Sequence, residues 1–254
     1  MSSPFTLALL GGTGLTELAD RFETSVSDTP YGAPSSPVRV IQTEPVTLLF
    51  LPRHGNPHRL PPHRVNYRAN MWALRKAGAD AVLAVSAVGG ITEAYAPGVL
   101  AAPDQLVDYS WGREHTYCDS GDVNLVHVDF SYPYSGPLRK LLLTSAASQE
   151  IDLVDGGCIG VFQGPRLESA AEIERSRRDG CDMAGMTSLP EAGLARELGL
   201  DYAGIAVVSN WGAGVHGELI SEDNIAETLR EPMTRVRALV QSLIPALAEN
   251  HQKP

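Results

Sequence analysis

The sequence predicts a single α/β domain, and three observations carry that expectation. Five short apolar runs rich in Val, Ile, Leu and Ala, at residues 7–10, 46–51, 81–86, 158–162 and 202–209, read as strands buried on both faces. Helical patterns at 66–77, 135–148, 168–178 and 190–198 are interleaved with them, as in an open α/β sheet. The 254 residues are 43% hydrophobic and 20% charged, enough to bury one core, and no repeat or low-complexity stretch divides them, so residues 1–254 read as one unit.

Taken in order, the first strand runs into Gly11-Gly12-Thr13-Gly14. Glycines there let backbone N–H groups approach an anion, with the Thr13 hydroxyl as a further donor, although a plain tight turn explains the same residues. It is neither a GxGxxG fingerprint nor a P-loop, because no Lys follows. The second strand ends in Pro52-Arg53-His54-Gly55, where Arg53 can fork onto a phosphate or carboxylate and His54 can add a donor, or the two can form an ordinary surface pair. The third ends in Ser86-Ala87-Val88-Gly89-Gly90, a hydroxyl followed by pliable backbone. Three strand ends thus offer anion donors, and in open α/β sheets ligands bind beyond the carboxyl ends of strands.

Two later stretches suit a planar polar ring. Gly164-Pro165-Arg166-Leu167-Glu168 puts a carboxylate at a loop-to-helix junction, and Val208-Ser209-Asn210 ends an apolar strand with an amide. Between them, in Gly185-Met186-Thr187-Ser188-Leu189-Pro190-Glu191, Met186 can pack on a sugar and Thr187 can meet an anion. Each has a plainer explanation: Glu168 as a carboxylate favoured at a helix N-terminus, Asn210 as a turn residue, Met186 as core filling. The last segment places Ile225, Leu229, Val236, Leu239, Val240 and Leu243 at three- and four-residue steps behind the capping candidates Ser221 and Asp223. This predicts a long amphipathic helix with Pro232 as the candidate kink.

The bulk composition excludes several classes. A net charge of −10 repels a phosphate backbone, and Lys and Arg are scattered, so a nucleic-acid polymer is not an expected partner. Cys118, Cys158 and Cys181 are widely spaced with no CxxC pair, which supports neither a disulfide framework nor a zinc site. No apolar run is long enough to span a bilayer, and Met1-Ser2-Ser3-Pro4 does not resemble the start of a secretory signal. A cytoplasmic protein without membrane association is the expectation.

Together, Gly-Gly-Thr-Gly at 11–14, Pro-Arg-His-Gly at 52–55, Val-Asn-Tyr-Arg-Ala-Asn-Met-Trp-Ala-Leu at 65–74, Gly-Pro-Arg at 164–166 and Gly-Met-Thr-Ser-Leu-Pro-Glu at 185–191 resemble the trimeric purine nucleoside phosphorylase and methylthioadenosine phosphorylase family. The resemblance runs in order from about residue 5 to about residue 245. It implies one α/β domain around a central mixed β-sheet flanked by helices, a homotrimer, and reversible phosphorolysis of a purine nucleoside. Inorganic phosphate is then the co-substrate, and no metal or organic cofactor is implied. The resemblance assigns Thr13, Arg53, His54, Ser86, Ala87 through its backbone N–H, and Thr187 to phosphate, and Met186 to the sugar. Leu167 falls where relatives often stack a Phe on the base, His127 matches a position that reaches a neighbouring subunit's 5′ pocket, and Ile225 lies with Ile220 and Ala226 near the family's apolar 5′ pocket.

The base can be argued from hydrogen-bond inventories. A 6-oxopurine presents an N1–H donor and an O6 acceptor, which suit the Glu168 carboxylate and the Asn210 amide, whereas adenine presents the reverse. An unpaired buried polar group costs roughly 1–3 kcal/mol, and more when charged, so discrimination by orders of magnitude is within reach. Methylthioadenosine-cleaving relatives tend to carry an acid at the position of Asn210 and a small hydroxyl residue at that of Glu168, while the length, Gly-Gly-Thr-Gly and Pro-Arg-His-Gly look like that branch. The combination makes S-methyl-5′-thioinosine the expected substrate. Inosine/guanosine and methylthioadenosine are the alternatives within the family, and a non-catalytic nucleotide-binding protein is the rival from another class.

Overall fold

The computed structural model describes residues 4–11, 23–25, 28–119, 125–217 and 219–251. Among them the strands are β1 (Thr6–Gly11), β2 (Glu23–Thr24), β3 (Arg39–Thr43), β4 (Val46–Pro52), β5 (Ala81–Gly90), β6 (Leu100–Ala102), β7 (Gln105–Asp108), β8 (Val154–Asp155), β9 (Cys158–Val161), β10 (Met183–Gly185) and β11 (Asp201–Trp211). The helices are α1 (Tyr67–Lys76), α2 (Pro137–Ser148), α3 (Ala170–Arg178), α4 (Ser188–Glu197) and α5 (Glu222–His251). The strands form one mixed sheet in the order β2-β3-β4-β1-β5-β10-β9-β7, and β11 pairs with β5 and β6 off that path. All five expected strands and all five expected helices are present, with ends shifted by a few residues.

Strand alternation divides the core into two layers. Leu7 and Leu9 of β1 face α2 and α5, where they meet Leu138, Leu142, Val236, Leu239 and Leu243. Ala8 and Leu10 face the other way, onto Met71 and Leu74 of α1 and Ala192 and Leu194 of α4. The centre of the sheet is therefore covered on both sides, which is why its strands read as unbroken apolar runs. Each fully buried Leu or Val contributes about 1.5–3 kcal/mol relative to exposure. On α5, Leu229, Met233, Val236, Val240, Leu243 and Leu247 all turn inward at three- and four-residue steps. Ser221 caps this helix, its Oγ accepting from the Asn224 N–H at 3.2 Å, and α5 continues through both Pro232 and Pro245.

What positions the site is the change of partners along one edge of β5. Among the described residues, β1 pairs with it in parallel as far as Val85, opposite Gly11. β10 then pairs with it antiparallel, Ala184 opposite Gly89 and Met183 opposite Gly90. Among the described residues, Ser86–Val88 have no ladder partner on that edge, while β11 stays paired along the other.

Candidate active site

The chain leaving β10 runs back along this open stretch. The antiparallel register of β10 and β5, continued, places Thr187 opposite Ser86, and their hydroxyl oxygens lie 3.2 Å apart. Thr187 sits at the start of α4 but makes no side-chain capping bond, so its hydroxyl remains turned to Ser86. Arg53, just past the end of β4, reaches the same region, donating from Nη1 to the Val85 carbonyl at 3.1 Å and from Nη2 to the Leu10 carbonyl at 3.3 Å. At the far end of the adjacent strand, the pairing of β11 with β5 shifts between Val208 and Asn210. Such a bulge re-aims the side chain that follows it. The Asn210 Oδ1 accepts from the Ser209 hydroxyl at 2.7 Å, and Nδ2 donates to the Trp211 carbonyl at 2.8 Å, leaving one amide hydrogen for a ligand.

These ends converge on a cavity of about 630 Å³, a size suited to a nucleoside-sized ligand. Arg53, His54, Ser86, Ala87, Leu167, Glu168, Met186, Thr187, Asn210 and Ile225 all line it. A second cavity of about 340 Å³ adjoins it through Ser209, Asn210, Gly212 and Ile225, and also carries His216, Ile220, Ser221 and Asn224. Of the expected site residues, Thr13 lies outside the described residues. His127 is exposed and lines none of these cavities.

The charges differ from the sequence-based expectation in two respects. Arg53 is fully buried and its positive charge is matched within the protein by a two-pronged contact to Glu191, which Nη2 reaches at 3.0 Å. The Tyr202 hydroxyl donates to the same carboxylate at 3.1 Å. Among the described residues, four of the five guanidinium N–H groups have acceptors, so Arg53 offers a ligand one donor from a fixed fork rather than a free bidentate cation.

His54 is not a ready donor either. Its Nδ1 lies 2.7 Å from the Leu60 carbonyl, which only accepts, so Nδ1 carries the proton and Nε2 presents a lone pair. Burial, followed by the Arg53 charge, pushes the imidazole pKa down to about 4, against the pull of the Leu60 carbonyl. An imidazole of this kind accepts from the hydroxyl of a hydrogenphosphate. Because the unfolded chain binds this proton at higher pH than the folded one, stability falls as pH drops from about 6.5 towards about 4. Relative to His54→Gln, the wild-type protein is expected to lose about 3 kcal/mol across that interval in denaturant titrations. Parallel pH profiles for the two proteins would exclude a neutral buried His54.

Glu168 occupies the loop before α3, but it does not serve the helix terminus. Ser169 is the cap and Glu172 completes a capping box, with Arg166 and the Ser169 N–H holding the Glu172 carboxyl down at about 2. Glu168 is half-buried, and burial raises its pKa above the usual carboxylate value. A carboxylate not used for capping and partly removed from water is available to a ligand. Gly164 permits the fold of this loop: at φ 61° a Cβ would lie 2.6 Å from Met186 Sδ, so the loop packs directly against the chain leaving β10.

Sequence reasoning missed His58 and Arg59, which also line the cavity, with His58 stacked on His54 at 4.5 Å between ring centroids. It likewise missed the role of Glu191, whose signal was its place in the segment from Gly185 onward.

Gly89 makes the placement of Asn210 testable. A Cβ there would sit 3.3 Å from Asn210 Nδ2, so Gly89→Ala displaces the amide by a few tenths of an ångström. The expected outcome is a loss of about tenfold or more in kcat/KM with the unfolding midpoint nearly unchanged. Full activity would show that Asn210 does not need its observed position.

The model of the phosphorylase superfamily matches residues 6–245. The chain belongs to the phosphorylase superfamily. Within it, the chain is 54% identical over 215 residues to a probable S-methyl-5′-thioinosine phosphorylase of Xanthomonas campestris pv. campestris, covering 84% of this chain and 86% of the relative. It is 36% identical over 252 residues to a 6-oxopurine nucleoside phosphorylase of Pyrococcus furiosus, covering 97% and 94%. Among solved structures, a mutant adenosine/methylthioadenosine phosphorylase of Schistosoma mansoni in complex with methylthioadenosine superposes with a TM-score of 0.89 at 30% identity, covering 98% of this chain and 93% of that one. This superfamily member therefore resembles enzymes of either base preference, and the side chains lining the cavity must distinguish them.

Proposed function

We propose that this enzyme cleaves S-methyl-5′-thioinosine with inorganic phosphate, giving hypoxanthine and S-methyl-5-thioribose 1-phosphate. The observation that carries the reading is that Glu168 and Asn210 line one cavity together with Ser86, Thr187 and Arg53. Departure of the base leaves positive charge on the ribose and negative charge on the purine, so a useful site needs an anion at C1′ and donors at the base. Phosphate held by Thr13, Ser86, the Ala87 N–H, Thr187 and the remaining Arg53 N–H is both nucleophile and counter-charge, while His54 Nε2 accepts the phosphate hydroxyl. Glu168 accepts from N1–H, and the free Asn210 amide hydrogen meets N7 or O6 as negative charge grows there. The C–N glycosidic bond breaks, a C–O bond to phosphate forms, the hydrogenphosphate gives up its proton and the departing base takes one up, so that charge and protons balance; no side-chain nucleophile and no further cofactor takes part.

At the 5′ end, Ile225 bridges the main and adjoining cavities and Ile220 lines the second, which favours a methylthio group. Burying the methyl contributes about 0.8 kcal/mol, and stranding a hydroxyl costs more, so preference of tenfold or greater follows. The polar Ser221, Asn224 and His216 in that same cavity favour the second reading, inosine with its 5′-hydroxyl. Kinetics on methylthioinosine, methylthioadenosine, inosine, guanosine and adenosine decide between them. Methylthioinosine is expected to have the highest kcat/KM, with no turnover in phosphate-free buffer. Equal cleavage without phosphate, yielding free sugar, would overturn the phosphorylase reading.

We further infer a homotrimer, supported by the exposed Leu125, Val126 and Tyr132 flanking His127, an apolar surface that a second copy would cover. His127 then serves a neighbour's 5′ end. Among the described residues no helix is long and apolar enough to cross a membrane, and a cytoplasmic role in purine salvage fits the proposed reaction.

A further inference from the structure

Arg113 stands in the loop after β7, outside the residues lining the main cavity, and is buried. Its Nη1 donates to the carbonyls of Met186 at 2.8 Å and Leu189 at 2.6 Å. Its Nη2 donates to the carbonyls of Phe162 at 3.0 Å and Gln163 at 2.9 Å, and Nε to the Gln163 Oε1 at 3.1 Å. The guanidinium also lies 5.4 Å from the centre of the Tyr67 ring. All five N–H groups thus have acceptors, every one of them neutral, and among the described residues no carboxylate forms an ion pair with Arg113.

Apart from the Tyr67 hydroxyl, 3.4 Å from Nη1, the acceptors fall in two groups. Phe162 and Gln163 begin the loop that carries Leu167 and Glu168; Met186 and Leu189 flank Thr187. One planar cation is therefore bonded on one side to the backbone that presents the base-facing carboxylate and on the other to the backbone that presents the sugar- and phosphate-facing side chains. Four carbonyls converging on a point repel one another unless a cation lies between them, and only a guanidinium supplies donors in several fixed directions. We propose that Arg113 is a positioning residue that fixes the base-side loop relative to the phosphate-side turn, and so couples occupancy of the two halves of the site. This rests on the phosphorylase reading above. Neither half can be reoriented by its ligand without straining the shared fork, so ordering one half prepares the other.

The test compares the wild-type protein with Arg113→Lys, which keeps the charge and loses the fork. Phosphate affinity is measured by calorimetry with and without saturating hypoxanthine, beside steady-state kcat and KM. Wild type is expected to bind phosphate severalfold more tightly when hypoxanthine is present. In R113K that ratio falls towards one and kcat falls at least tenfold, while phosphate affinity in the absence of base changes less than threefold. A residue needed only for folding would lower the active fraction, leaving the ratio and KM unchanged. If R113K does not fold, Gln163→Met, which removes the side-chain acceptor that Nε shares with the Trp111 N–H, carries the comparison with a smaller change in the same direction. A wild-type ratio of one, or a folded R113K (in its place, Q163M) with wild-type ratio and kcat, overturns the proposal. Wild-type protein that cleaves no purine nucleoside with phosphate overturns the phosphorylase reading instead.

Discussion

Exchanging Glu168 for Ser together with Asn210 for Asp is expected to turn a 6-oxopurine enzyme towards 6-aminopurines. In the wild-type cavity, adenine would set its N1 lone pair against the Glu168 carboxylate, leaving a partly buried charge without a donor. A mismatch of this kind costs roughly 1–3 kcal/mol or more at each contact, so the ratio of kcat/KM for methylthioinosine over methylthioadenosine should move by about two to four orders of magnitude. The two substitutions are expected to be non-additive, because both side chains address one ring. The pH dependence has a definite sign: the Glu168 carboxyl accepts N1–H far more strongly when ionised, and burial raises its pKa. Activity on the 6-oxopurine should therefore fall on the acid side at a higher pH than an ordinary carboxylate gives, and Glu168→Gln should remove that limb. Wild-type preference for methylthioadenosine, or an unchanged ratio in the double variant, would refute the base assignment.

Glu191→Ala is expected to be the most destabilising single change near the site. It strands the Arg53 cation, which is 1% exposed, and removes the acceptor of the Tyr202 hydroxyl. Breaking one partner of a buried pair costs about 3–5 kcal/mol, or on the order of 6–20 °C in the unfolding midpoint for a chain of this size. Glu191→Gln, which keeps an acceptor oxygen, should cost less, and its kcat should fall because the Arg53 fork is no longer held from both sides. An alanine variant within about 1 kcal/mol of wild type would mean that the pair contributes nothing beyond what water supplies.

The sequence was most legible where structure is long and regular. β1, β4, β5, β9 and β11 announce themselves as apolar runs because both sheet faces are covered. β10 spans only Met183–Gly185 and β8 only Val154–Asp155, too short for any periodicity, yet the antiparallel return of β10 brings Thr187 to Ser86. The lining residues were legible through motif resemblance, but their electrostatics were not. Arg53 and Glu191 are 138 positions apart, and nothing local to either reveals that one neutralises the other. The tautomer of His54 depends on the Leu60 carbonyl, a backbone group with no sequence signature. Arg113 was invisible for the same reason: its acceptors are main-chain oxygens from two distant segments.

That Ser86–Val88 have, among the described residues, a ladder partner on one edge alone has a consequence for how such a site can persist in a sheet. A gap in a ladder at the heart of a core is ordinarily a defect, since main-chain groups there forfeit their partners. Here the vacancy opens into the cavity, so an oxyanion can act as the missing rung, taking bonds a neighbouring strand would have supplied. Substrate then completes the architecture, and the protein should be most resistant to unfolding while it is at work. The same arrangement sets a limit on improvement: any mutation that let β10 extend by two residues would strengthen the sheet and erase the proposed place of the phosphate.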